Sequence, residues 1–143
     1  MNVHAYLNFD GNTEEAFEFY RSVFGGEFSS VVRFTDMPME GVTIPAEDGN
    51  KMMHIALPID ENNLLMASDV LRSLGQELTV GNNVYVSLHP DSREEADRIF
   101  KGLSVGADIE MPIGDQVWGD YFGSFKDKFG VGWMVNHSPP QES

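Results

Sequence analysis

Two histidines, His4 and His54, are the side chains of this sequence best suited to chemistry. An imidazole can bind an oxyanion, exchange a proton with a ligand, or help to hold a metal. Each lies in an alternating run. Across Val3 to Phe9, the residues Ala5, Leu7 and Phe9 form one face, and His4, Tyr6 and Asn8 form the other. Across Met52 to Ile59, the apolar face is Met53, Ile55, Leu57 and Ile59, with His54 opposite. Alternation of this kind predicts strands with one buried side. Both imidazoles therefore leave the core, and on neighbouring strands they could approach each other. A third run, Leu64 to Ser68, sends Met66 and Ser68 to one side and ends at Asp69. A carboxylate at a strand end is either a general base or the cap of a turn or helix. Near the C-terminal end, Asp120 and Tyr121 follow Trp118-Gly119. Aromatic rings there could stack on a flat substrate, with Gly119 and Gly123 letting backbone come close; hairpin packing is the alternative. Ser68 lacks the surroundings of a nucleophile elbow, and no acid pair is spaced for glycoside chemistry.

The elements that position these residues occur twice. Asn12-Thr13-Glu14-Glu15-Ala16-Phe17-Glu18-Phe19-Tyr20 returns as Ser92-Arg93-Glu94-Glu95-Ala96-Asp97-Arg98-Ile99-Phe100. Each copy has a capping residue, a glutamate three positions on, an alanine, and an aromatic four residues after it. The pattern predicts capped helices with stripes at Ala16, Phe17, Tyr20, Val23 and Phe24, and at Ala96, Ile99, Phe100 and Leu103. Gly25-Gly26 ends the first. Strands are expected at Phe28 to Phe34, Asn82 to His89, Asp108 to Met111, Gln116 to Trp118, Tyr121 to Phe125 and Val131 to Asn136, with a long loop from Thr35 to Asn50. Asp127-Lys128-Phe129-Gly130 reads as a tight turn with Gly130 at positive φ, and Trp133 as core. The fold class is α+β: paired βαβββ modules within a single domain over 1–143, at about 1–70 and 82–137, whose curled sheets form a cup.

The 143 residues suffice for a real core, and 41% hydrophobic with 22% charged residues is ordinary for a globular chain. The absence of cysteine excludes disulfides, thiolate metal sites and a cysteine nucleophile. A net charge of -14 with only nine Lys and Arg argues against nucleic acid and against anionic membrane surfaces. No apolar run approaches the roughly 18 residues of a membrane span, and no basic stretch precedes an apolar one near Met1. A cytoplasmic protein is the expectation.

Three stretches carry a family likeness: Tyr6-Leu7-Asn8-Phe9-Asp10-Gly11-Asn12 with Phe24-Gly25-Gly26; Leu65-Met66-Ala67-Ser68-Asp69; and Trp118-Gly119-Asp120-Tyr121-Phe122-Gly123 through Asp127 to Asn136. On these the chain resembles the vicinal-oxygen-chelate superfamily of glyoxalases, bleomycin-resistance proteins and extradiol dioxygenases, and within it the PhnB-like group. The resemblance implies a homodimer. It also implies a metal-ligand position on the first and last strand of each module. Those positions fall on His4, Met66 and Met134, and the repeat offset of Asn12 onto Ser92 carries His4 onto Val84. Valine cannot coordinate, and a thioether is a poor ligand for hard divalent ions. The expected function is therefore binding of a small organic molecule in the cup between the modules, without the usual metal or any other cofactor. The expected contacts are His4, Tyr6, Asn8, His54, Met66, Ser68, Trp118 and Met134, with Asn136 and Gln116 as further polar candidates. The alternatives are a divalent-metal-dependent lyase, isomerase or dioxygenase using His4, and a partner subunit whose cup is vestigial.

Overall fold

A computed structural model describes residues 1–140; the end of the expected domain, 141–143, lies outside the described residues. The chain divides into two compact units, Met1–Thr79 and Val80–Ser143. The first contains β1 (Ala5–Phe9), α1 (Thr13–Phe24), β2 (Ser30–Arg33), β3 (Met52–Pro58) and β4 (Leu64–Asp69). Its sheet has the order β1-β4-β3-β2, with β1 parallel to β4 and the other pairs antiparallel. The second contains β5 (Val86–Leu88), α2 (Arg93–Leu103), β6 (Asp108–Asp115), β7 (Tyr121–Lys126) and β8 (Gly132–His137), in the order β5-β8-β7-β6. Each unit is one βαβββ module, as the repeat implied.

Strand alternation decides which side of each sheet is covered. In the first module Phe9, Ile55, Leu57, Leu65 and Ala67 are buried with Ala16, Phe17, Tyr20 and Val23 of α1. Phe9 meets Phe17 edge-on, with ring centroids 6.4 Å apart. In the second, Ala96, Ile99, Phe100 and Leu103 of α2 are buried with Phe125, Trp133 and Val135. Each of the larger aromatic or aliphatic side chains among them contributes about 1.5–3 kcal/mol through burial. Gly123 belongs to this core. A Cβ there would lie 2.6 Å from Phe100 Cε2 and 2.9 Å from the backbone of Ile113. The glycine therefore admits α2 and β6 to β7, rather than a ligand.

The helix ends are built differently in the two modules. Ser92 Oγ accepts from the Glu95 amide at 3.1 Å and caps α2 as its sequence suggested. Asn12 makes no such bond. The start of α1 is held instead by Asp69, from the end of β4. Asp69 Oδ1 accepts from the amides of Gly11 (3.0 Å) and Thr13 (3.1 Å) and from Thr13 Oγ1 (2.6 Å), while Oδ2 accepts from the Met52 amide at 2.8 Å. Gly25 ends α1 at φ 81, its amide donating to the Arg21 carbonyl.

Several boundaries differ from expectation, and β6, expected to end at Met111, runs on to Asp115. Gln116–Trp118 is a turn, closed by the Gln116 amide on Asp120 O and the Gly119 amide on Gln116 O. Three alternating residues between strands carry too little periodicity to separate strand from turn. The strand expected over Asn82–His89 is paired only at Val86–Leu88. The Thr35–Asn50 segment carries short 3-10 turns at Phe34–Asp36 and Ala46–Asp48. Its ends close on each other through the Thr35 amide and Gly49 carbonyl. Buried Asp48 anchors it to Lys51 Nζ and Ser73 Oγ, both at 2.7 Å. Among the described residues no helix is long and apolar enough to cross a membrane.

Candidate functional site

The face of the first sheet opposite α1 gathers most of the residues singled out in the sequence. Register sets Tyr6 against Met66 and Asn8 against Ser68 on β1 and β4, and Ala56 against Met66 on β3. Parity therefore puts Tyr6, Asn8, His54, Met66 and Ser68 on one side. Tyr6 Oη lies 3.1 Å from His54 Nδ1, and the two rings stack with centroids 5.7 Å apart at 26°. Ser68 Oγ donates to Asn8 Oδ1 at 3.3 Å. Tyr6 remains 46% exposed, so this assembly is open to a ligand.

His4 does not join His54. β4 separates the two strands, and His4 lies beside Leu64, whose amide donates to His4 Nδ1 at 3.3 Å. His54 lies level with Ser68, four residues further along β4, a separation of roughly 13 Å. The expected approach of the imidazoles gives way to a Tyr6–His54 pair. Single-strand parity finds the face, but strand order and register decide which residues on it meet.

In the second module Met134 pairs with Ser87 and Ser124, and Asn136 pairs with Phe122. These residues share the face opposite α2. Trp118, 57% exposed, projects from the Gln116–Asp120 turn onto Phe122, with centroids 5.9 Å apart. Asn136 Nδ2 donates to Ser138 Oγ. Gln116 is spent on the turn, where its Nε2 donates to the carbonyls of Gly114 and Phe122. Tyr121 is likewise engaged. Its hydroxyl donates to Asp97, which raises its pKa above the usual phenol value, and the Arg93 guanidinium sits 3.9 Å over its ring. One face of its ring is thus covered by the guanidinium.

Ser87, Phe122 and Ser124 were missed by the sequence reading. Their signal was parity with Met134 across adjacent strands. Ser87 also shows where the repeat offset fails. Tyr6 pairs with Met66 and Ser87 with Met134, so the counterpart of His4 is Tyr85, not Val84. Val84 is 75% exposed. From Tyr6 to Asn12 is six positions and from its counterpart Ser87 to Ser92 only five, so strands and helices repeat at different offsets.

The donor set at the superfamily's metal positions does not fit a hard divalent ion. His4 Nδ1 accepts an amide hydrogen, and Met66 and Met134 offer thioethers. The Tyr85 hydroxyl donates to both oxygens of Glu110, at 2.7 and 2.8 Å, which raises the phenol pKa and keeps the proton on oxygen. Among the described residues no three His, Cys, Asp or Glu side chains converge as a metal site requires. Asp69, weighed as a general base, has both oxygens committed to the α1 and β3 amides, and it caps. A surface pocket of about 330 Å³, bounded by Arg72, Gly75, Gln76, Glu77 and Leu78, includes none of the residues singled out.

Known proteins match this architecture over nearly its full length. A family model described as 3-demethylubiquinone-9 3-methyltransferase covers residues 1–136. The chain is 36% identical to protein PA1353 of Pseudomonas aeruginosa, with a TM-score of 0.84 over 96% of this chain and 98% of that one. It is 25% identical to a putative 3-demethylubiquinone-9 3-methyltransferase, PhnB protein, of Bacillus cereus, with a TM-score of 0.75 over 96% and 100%. A glyoxalase/bleomycin resistance protein of Albidiferax ferrireducens T118, at 19% identity, shares the fold with a TM-score of 0.62 over 95% and 97%. These matches establish that the chain belongs to the PhnB-like family described as 3-demethylubiquinone-9 3-methyltransferase, and its paired βαβββ modules share the fold of glyoxalase/bleomycin resistance proteins.

Proposed function

We propose that this protein binds a small organic molecule on the helix-free face of its first sheet, without the superfamily's metal. The observation that carries this reading is the exposed Tyr6–His54 stack beside Met66 and the Asn8–Ser68 pair. Aromatic and thioether surface supplies dispersion and adapts to shape. A few polar groups on an apolar floor fix orientation, which is the composition of small-molecule sites. The mismatched donors at His4, Met66, Tyr85 and Met134 support the metal-free part.

Methyl transfer, the reaction in the family's description, finds no support in the local structure. An adenosyl donor is commonly held by a glycine-rich turn that opens a helix. Here Gly25 and Gly26, both at φ 81, follow the end of α1 instead.

A thermal-melting screen against small organic compounds tests the proposal. A ligand at about 100 times its Kd stabilises by roughly 2.7 kcal/mol, a shift of several degrees. The expected result is a hit whose shift is largely lost in the Tyr6→Ala, His54→Ala double variant. A hit that stabilises the variant as strongly as the parent protein would place binding elsewhere.

A further inference from the structure

Tyr6 and His54 stand on a face without formal charge. With them, parity places Asn8, Met66, Ser68 and Ala56 on that side. On β2 the same parity gives Ser30, opposite Ala56, and Val32, opposite His54. None of these is Asp, Glu, Lys or Arg, in a chain carrying 23 acids and nine Lys or Arg. Near the ends of these strands Asp60 is held by the amides of Asn62 and Asn63, and the charges of Asp10 and Arg33 are ion-paired. Asp10 holds Arg72, and Arg33 holds Glu14 at 2.5 Å.

The pair itself has a defined hydrogen-bonding capacity. One hydrogen lies between Tyr6 Oη and His54 Nδ1 when the imidazole is neutral. If the phenol donates it, Nε2–H remains as a donor and the phenol oxygen as an acceptor. If Nδ1–H donates it, the phenol O–H remains as a donor and Nε2 as an acceptor. Either way the dyad presents one donor and one acceptor from a stacked aromatic platform. An ion placed on this face would lose hydration without meeting a counter-charge, and the net charge of -14 opposes anions further.

We infer that the ligand taken by the Tyr6–His54 dyad is an uncharged planar molecule bearing both a hydrogen-bond donor and an acceptor, as a phenol or a cyclic amide does. This rests on the small-molecule reading above and adds the ligand's charge and chemistry.

The test titrates three matched probes, 2-naphthol, 2-naphthoate and naphthalene, against the intact protein near neutral pH, following ligand resonances by NMR. The expected result is that 2-naphthol binds at least about tenfold more tightly than either other probe, the margin of one good hydrogen bond to a desolvated partner. Tyr6→Phe and His54→Phe should each reduce that margin, and the double variant should remove most of it. The comparison of probes on the unaltered protein needs no variant, so a folding defect in either would not blunt it. Equal or tighter binding of 2-naphthoate would overturn the neutral-ligand inference and leave the small-molecule reading standing. A 2-naphthol margin that survives both variants would overturn the role of the dyad. Failure of all three probes to bind overturns the inferred ligand class, and the melting screen then decides separately whether the face binds any small molecule.

Discussion

Replacing Asp69 with alanine is expected to destabilise the protein by about 3–5 kcal/mol, since several donors in a buried setting lose their acceptor together. Asp69 is only 5% exposed, and one carboxylate serves four donors from three places in the chain. They are the Gly11 turn, the first residue of α1 and the first residue of β3. Three backbone amides would be left without a partner, and water cannot readily replace an acceptor enclosed by Thr13 and Met52, both fully or almost fully buried. A domain of this size has only about 5–15 kcal/mol in reserve. Asp69→Asn should cost less, because one amide oxygen can still accept the three bonds now made to Oδ1. Its NH2 group would then face the Met52 amide, donor against donor. Urea denaturation of both variants checks the order: Asp69→Ala least stable, Asp69→Asn between it and the parent. Equal stability of all three would mean that the carboxylate does not hold α1 to the sheet.

The second large effect is expected at Asp127, whose replacement by alanine should cost about 3 kcal/mol. Asp127 Oδ1 accepts from the amides of Phe129 (2.8 Å) and Val131 (3.0 Å), closing the turn before β8. Oδ2 accepts from Trp133 Nε1 at 2.8 Å, and Trp133 is 0% exposed. The variant strands an indole N–H in the core. Trp133→Phe removes that donor but leaves space behind the smaller ring, so it is costly for a different reason. A double-mutant cycle separates the two, with an expected coupling of about 1–2 kcal/mol. Additive losses would show that the Asp127–Trp133 bond contributes little.

These two aspartates show what could be read in the sequence and what could not. The turn at Asp127–Gly130 was legible because its signals are local: an aspartate reaching two residues on, and a glycine, here at φ 89. The start of α1 was not. Asn12 and Glu15 have the spacing of a capping box, yet the acceptor comes from Asp69, 56 residues beyond Thr13. A local pattern gives no warning that a strand end will compete for the same amides. In the second module no such competitor intervenes, and Ser92 caps as its sequence suggests.

The candidate site follows the same rule. Alternation placed Tyr6, Asn8, His54, Met66 and Ser68 on the helix-free side, because a strand with one buried face has no other way to lie. Pairing across strands was beyond its reach. The structure joins His54 to Tyr6 rather than to His4, and replaces Val84 by Tyr85 as the counterpart of His4. Trp118 reaches Phe122 from a turn that short alternation had suggested was a strand.

The claim on which the rest depends is that the exposed face of β1, β4 and β3 is a ligand surface. Amide and methyl chemical-shift mapping of the labelled protein, with a hit from the melting screen, tests it directly. The account predicts that the largest changes fall on Tyr6, Asn8, His54, Met66 and Ser68. Changes centred instead on the Arg72–Leu78 pocket, with that face silent, would contradict it.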